Sequence, residues 1–158
     1  FYDASGNSYA GITDTTTLSF TTDEMIDPLT GQQTFNLDVD GDGIIGAFSD
    51  GFMILRKMFG DAFEGEALTN KAISNNATKT TSEIHAYIQE GIDSSVLDVD
   101  GDGVVGAFSD GFMVLRKLFG DAFEGEALTN KAISNDATRT TDEIHEYIAS
   151  LTTIDPIA

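Results

Sequence analysis

The chain has 158 residues, with 27 acidic side chains against 8 basic ones for a formal charge of −19, and it contains no cysteine. That balance argues against nucleic acid and anionic membranes as partners, because their phosphates would repel the chain, and it favours cations. Disulfides and thiolate zinc sites are excluded, no apolar run approaches the ~20 residues of a membrane helix, and 41% apolar content suffices for a packed core in one modest domain or two small ones.

Residues 1–35 stand apart in character. The stretch "FYDASGNSYAGITDTTTLSFTTDE" is rich in Thr, Ser and aromatics around an "ASGN" turn signal, which predicts a short β-rich segment, either a hairpin or the end of a preceding β-domain. Opening on Phe1 without an initiator methionine or signal-peptide pattern, the chain reads as a piece of a longer protein. Asp3, Ser5, Asn7, the Tyr9 carbonyl and Asp14 fall at positions 1, 3, 5, 7 and 12 of a possible cation loop, although its glycine, Gly6, is displaced. A β-turn accounts for the same residues without a metal. "DPLTG" at 27–31 then reads as a turn or linker.

From residue 37 onward the chain repeats itself. Residues 37–90 match 97–150 at roughly 44 of 54 positions, a long-period duplication that divides the remainder into units 36–95 and 96–158. Four of the differences, Ile44/Val104, Ile45/Val105, Ile54/Val114 and Met58/Leu118, keep apolar character and are expected to face a core; Asn76/Asp136 and Ala86/Glu146 are expected to be exposed.

Each unit opens on "LDVDGDG". Asp38, Asp40 and Asp42 stand at alternate positions, so their carboxylates can converge, and Gly43 supplies a bend that a β-carbon would obstruct. Three gathered carboxylates repel one another unless a cation neutralises them. Oxygen ligands with no His or Cys beside them favour Ca²⁺, with Mg²⁺ the weaker fit for a flexible multidentate loop. An acidic Asp/Gly turn without metal is the plain alternative, and the duplication with an apolar helix behind it argues against that.

Next, Ser49 or Asp50 is expected to cap a helix of about ten residues, with Phe52, Leu55 and Phe59 inward and Gly60 as its left-handed terminator. "DAFEGEALTNKAIS" suggests a turn at Gly65 and a brief second helix carrying Leu68 and Ala72 on one face. Thr80 with Glu83 makes a capping-box pattern before a third helix, with Ile84, Tyr87 and Ile88 inward and Gly91 as its stop. The second unit repeats these signals through Phe112, Leu115, Phe119, Leu128, Ile144, Tyr147 and Ile148. Because a domain of about sixty residues is marginal alone, the two units are expected to share one core holding Phe52, Phe59, Ile84, Phe112, Phe119 and Ile144.

The phrase D-x-D-G-D-G resembles the EF-hand calcium loop, and "LDVDGDG…DGFMVLRKLFG" is similar to the calcium repeats of dockerin-type modules. The resemblance covers each loop and its following helix, about 22 residues per unit. It implies a mainly α protein of duplicated EF-hand/dockerin-like loop-helix units. Its ligands would be Asp38, Asp40, Asp42, the Ile44 carbonyl and Asp50, then Asp98, Asp100, Asp102, the Val104 carbonyl and Asp110, holding two Ca²⁺, or three with the N-terminal loop. One departure matters: the closing acid of the family stands at loop position 12, where this chain has Ser49 and Ser109, while Asp50 and Asp110 stand at position 13. "GQQTFN" also lacks the character of an entering helix, as in dockerins.

The function expected is therefore a calcium-folded structural module of a large secreted or cell-surface, adhesin-like protein. The alternatives are a dockerin-like docking module that binds a cohesin-type domain through the helices after its loops, and a calcium sensor or buffer. Phe52, Met53, Leu55, Met58 and Phe59 form either core or an exposed methionine-rich groove of the sensor kind. No enzyme is expected: His85 and His145 recur in "EIHxY" without a second ligand or nucleophile at matching spacing, which reads as surface histidine.

Overall fold

The computed structural model describes residues 35–153, and the β-rich expectation for 1–35 falls almost wholly outside them, as does the candidate loop Asp3, Ser5, Asn7, Tyr9 and Asp14. The described residues are mainly helical: α1 spans Phe52–Met58, α2 Thr81–Asp93, α3 Phe112–Leu118 and α4 Thr141–Ser150, with no strand among them. They belong to one compact unit. None of these helices is long and apolar enough to cross a membrane.

A π-helical turn precedes each short helix, Ala47–Gly51 before α1 and Ala107–Gly111 before α3. Gly51 donates to the Gly46 carbonyl at 3.0 Å, and Phe52 to the Ala47 carbonyl, five residues back instead of four. The turn thus absorbs one extra residue, and the one-residue excess seen in the sequence between the loop and its closing acid lies here. Neither Ser49 nor Asp50 caps the helix as expected; the residue before the turn is Gly46, with no side-chain cap. Gly60 does end the helical run, at φ +69°.

The expected second helix is instead a pair of 3₁₀ turns, Gly60–Phe63 and Gly65–Ala67, although Leu68 and Ala72 are buried as expected. The small and acidic residues of "GDAFEGEA" support only local turns. The capping box forms in both copies: Thr80 Oγ1 accepts the Glu83 N–H at 3.3 Å, and Glu83 Oε2 accepts the Thr80 N–H at 2.7 Å. Gly91 does not stop α2, which runs on to Asp93. It is a close-approach position, where a β-carbon would stand 2.8 Å from the Phe35 ring and 3.1 Å from Leu97.

Packing corrects the expected inward faces. The fully buried residues of α1 are Met53 and Ile54, and those of α3 are Met113 and Val114; Phe52 and Phe112 are half-buried, and Phe59 and Phe119 are 38% exposed. Ile84, Ile88, Ile144 and Ile148 join the core as expected, while Ile44 and Val104 stand out in solvent. The aromatic residues build the junction between the units instead. Phe48 of the first meets Phe119 of the second edge-on at 5.1 Å, and Phe108 meets Phe59 at 5.2 Å. Gly51 lies against Leu115 and Leu118, and Gly111 against Leu55 and Met58. This reciprocity is a pseudo-twofold, as expected from a duplicated chain.

Candidate metal centre

Each loop gathers its aspartates by turning their oxygens onto backbone N–H groups. Asp38 Oδ1 accepts from Gly41 at 2.9 Å and Asp42 at 3.1 Å, while Oδ2 accepts from Gly43 at 3.0 Å. Asp42 Oδ1 accepts from Ile44 at 2.8 Å. Gly41 and Gly43 adopt φ of +74° and +86°, a region only glycine enters without strain, and a β-carbon on Gly41 would collide with Thr78 Oγ1.

Asp40 reaches furthest. Its Oδ2 accepts the Ser74 N–H at 2.9 Å, and its carbonyl accepts from Thr78 and Lys79 at 3.0 and 3.1 Å, just before the cap of α2. The second loop repeats each bond through Asp98, Asp100, Asp102, Ser134, Thr138 and Arg139. Ser74, Thr78 and their copies were invisible as loop partners in the sequence, because nothing in "SNNATKT" carries metal chemistry.

The consequence is two acidic triplets. One oxygen each from Asp38, Asp40 and Asp42 lie within 4.8 Å of one another, and the same holds for Asp98, Asp100 and Asp102. In each triplet the first two residues are buried and the third half-buried. Carboxylates so close repel, and a divalent cation among them would relieve that charge with hard oxygen donors. The residues fit such an ion: each carboxylate retains acceptor capacity beyond the N–H bonds it makes, and a β-carbon at Gly43 or Gly103 would meet nothing within 4 Å, so each loop borders open space there. Two acidic triplets in a duplicated helical frame are thus compatible with calcium-binding loops.

Asp50 and Asp110 occupy a different position. Asp50 is fully buried, its Oδ1 accepting from Val39 at 2.9 Å and its Oδ2 from Gly46 at 2.9 Å and the Ser49 hydroxyl at 2.8 Å. Asp110 does the same with Val99, Gly106 and Ser109. Burial raises the pKa of both above the ordinary aspartate range, hydrogen bonds from Gly46 or Gly106 and the serines pull the other way, and the like charge of Asp40 or Asp100 adds to the rise. These carboxylates fasten the exit of the loop to its start. At Ile44 and Val104 the side chains are 68% and 65% exposed, leaving the backbone as their contribution to the loop.

His85 and His145 sit away from the triplets, each with Nε2 3.0 Å from a backbone oxygen, of Gly65 and Gly125 respectively. Among the described residues the two aspartate triplets are the groups able to hold a metal. No family model, curated protein or solved structure matches the chain.

Proposed function

We propose that this chain is a calcium-binding structural module, built of duplicated EF-hand loops of the dockerin-like type, in a large secreted or cell-surface, adhesin-like protein. The observation that carries the reading is Asp40, with its copy Asp100. The same residue contributes a carboxylate to the acidic triplet and ties the loop to the segment before the next helix, 34 residues away. A Ca²⁺ among the triplet would offset repulsion located at the joints of the fold, so binding would stabilise the unit as a whole. Burial of Met53 and Met113 supports a structural role over a sensor that opens a methionine-rich groove. Millimolar extracellular calcium would keep even modest sites of this kind filled.

Calorimetric titration of the metal-stripped chain tests this. Two Ca²⁺ are expected, with Mg²⁺ much weaker; no binding would end the reading, and a third ion would bring Asp3 to Asp14 into account.

One observation favours docking as a second reading. Ile44, Phe48, Val104 and Phe108 are each 65–68% exposed, in two equivalent sets. Solitary exposed apolar residues need no explanation, but a repeated set is a candidate contact surface for a cohesin-type domain. Ile44→Ser with Val104→Ser, whose side chains take no part in the aromatic junction, would weaken such binding while leaving calcium uptake intact.

A further inference from the structure

The two loops are nearly identical in sequence but are not held alike. Of the positions that differ between 37–90 and 97–150, Lys79/Arg139 is the one whose side chain reaches across to the start of a loop; just outside that span Asn36 Oδ1 accepts the Asp38 N–H at 3.0 Å, a neighbouring bond that Val96 cannot copy. Arg139 Nη1 donates to the Asp98 carbonyl at 2.7 Å and to the Val99 carbonyl at 3.1 Å, while its guanidinium lies 4.0 Å above the Tyr147 ring. Tyr147 in turn donates its hydroxyl to the Val96 carbonyl at 2.9 Å. In the first unit Lys79 places its ammonium 4.5 Å from the Tyr87 ring, and among the described residues it makes no counterpart to the two carbonyl bonds.

Both residues carry one positive charge, so the Coulomb effect on a nearby acidic triplet is similar in the two copies. What differs is geometry. A guanidinium can stack on an aromatic ring and donate sideways at the same time, whereas an ammonium seated on a ring has a single point of charge to share. The carbonyls held by Arg139 belong to Asp98, the first acid of the second loop, and to the residue after it. The segments before the helices otherwise grip both loops identically, through the N–H groups of Ser74, Thr78 and Lys79 or of Ser134, Thr138 and Arg139.

We infer that Arg139 is a positioning residue that holds the second loop in its bent form without metal, while Lys79 leaves the first loop to be ordered by other means. The consequence for metal, which rests on the calcium reading above, is an order of filling: the pre-formed second site takes Ca²⁺ first. A site that is already shaped spends less of its binding energy on ordering the chain.

Residue-resolved amide exchange of the full chain in EDTA tests the brace directly. Gly101 and Asp102 should exchange about tenfold more slowly than Gly41 and Asp42, the margin that charge-assisted hydrogen bonds of this kind provide. Arg139→Lys should erase the difference, and Lys79→Arg should slow the first loop. Both are conservative exchanges that leave the core untouched. Equal exchange in the unaltered chain, or a difference that survives Arg139→Lys, overturns the inference. Titration with Ca²⁺ alone, followed at the same amides, should saturate the second loop first, and the double exchange Lys79→Arg/Arg139→Lys should reverse the order. An order that the double exchange leaves unchanged also overturns it. Unequal exchange with no uptake of Ca²⁺ would uphold the brace and reject the calcium reading, so the two fail separately.

Discussion

Leu37 donates its N–H to the Leu151 carbonyl at 2.9 Å, and Leu97 makes the matching bond to the Gly91 carbonyl at 3.1 Å. The second bond is local, joining the end of α2 to the loop that follows it. The first is its long-range copy, in which the end of α4 meets the start of the first loop. Each loop also grips the segment before its own long helix through Asp40 or Asp100. The contacts therefore run in a circuit: first loop to α2, α2 to second loop, second loop to α4, and α4 back to the first loop. The end of α4 thus stands before the first loop as the end of α2 stands before the second.

Removing residues 151–158 should accordingly destabilise both units together. Leu151 is 2% exposed, and losing its burial with the hydrogen bond from Leu37 should cost about 2–4 kcal/mol. Urea unfolding would show a single transition moved to lower denaturant. An unchanged midpoint would mean that the joint between Leu37 and Leu151 contributes nothing.

The junction between the units makes a second prediction. A β-carbon at Gly51 would lie 3.0 Å from Leu115 Cδ1 and 3.1 Å from Leu118 Cδ1, at a helical φ of −57°. Alanine there gains about 1 kcal/mol of helix propensity and needs only a slight shift of two methyl tips, so it should be close to neutral. Valine overfills the gap and should cost about 1–3 kcal/mol. Leu115→Ala should recover part of that cost in the double variant, which urea unfolding of the four-member cycle would measure.

Much of this fold is legible in residue patterns because its causes are local. The aspartate spacing, the glycine bend at Gly43, the Thr80–Glu83 box and the Gly60 terminator each depend on a few neighbouring residues. The inward face of α1 is not legible in that way. The π-helical turn at Ala47–Gly51 rotates the helix relative to a plain count, and the Phe48–Phe119 and Phe59–Phe108 pairs draw aromatics to the junction between repeats. Gly91 reads as a stop in sequence, whereas the cause of its being glycine is the Phe35 ring against it. The reach of Asp40 to Ser74, and of Leu37 to Leu151, has no periodic signature at all.

Glu83 and Glu143 give a pH dependence of known sign. The N–H and hydroxyl of the capping threonine hold each carboxyl below the usual glutamate range, so the folded state prefers the charged form. That contribution is present above the ordinary value of 4.5 and is lost as pH falls through the lower folded value. Glu83→Gln with Glu143→Gln should therefore lower the melting temperature at pH 7 and have progressively less effect as the solution is acidified toward pH 3. A deficit that stays constant over this range would show that the caps act without their charge.

The last prediction separates two roles for Asp110. Its carboxylate fastens Val99 to Gly106, and the calcium reading also makes it the closing ligand at loop position 13. Asp110→Asn keeps the shape but offers one acceptor oxygen where two are used, so in EDTA it should cost about 1–3 kcal/mol by leaving a buried N–H unpaired. Ser109→Ala removes only the hydroxyl donated to Asp110 at 2.9 Å and should cost less. In millimolar Ca²⁺ the two substitutions should diverge further, because a ligand lost from the ion weakens the site while a lost hydroxyl does not. With calcium at about 100 times its dissociation constant each filled site adds roughly 2.7 kcal/mol, and Asp110→Asn should forfeit most of that share. Thermal melts of the three proteins, with and without calcium, measure the difference. If Asp110→Asn costs the same in both conditions while two ions still bind, Asp110 is a fastener of the loop and not a ligand.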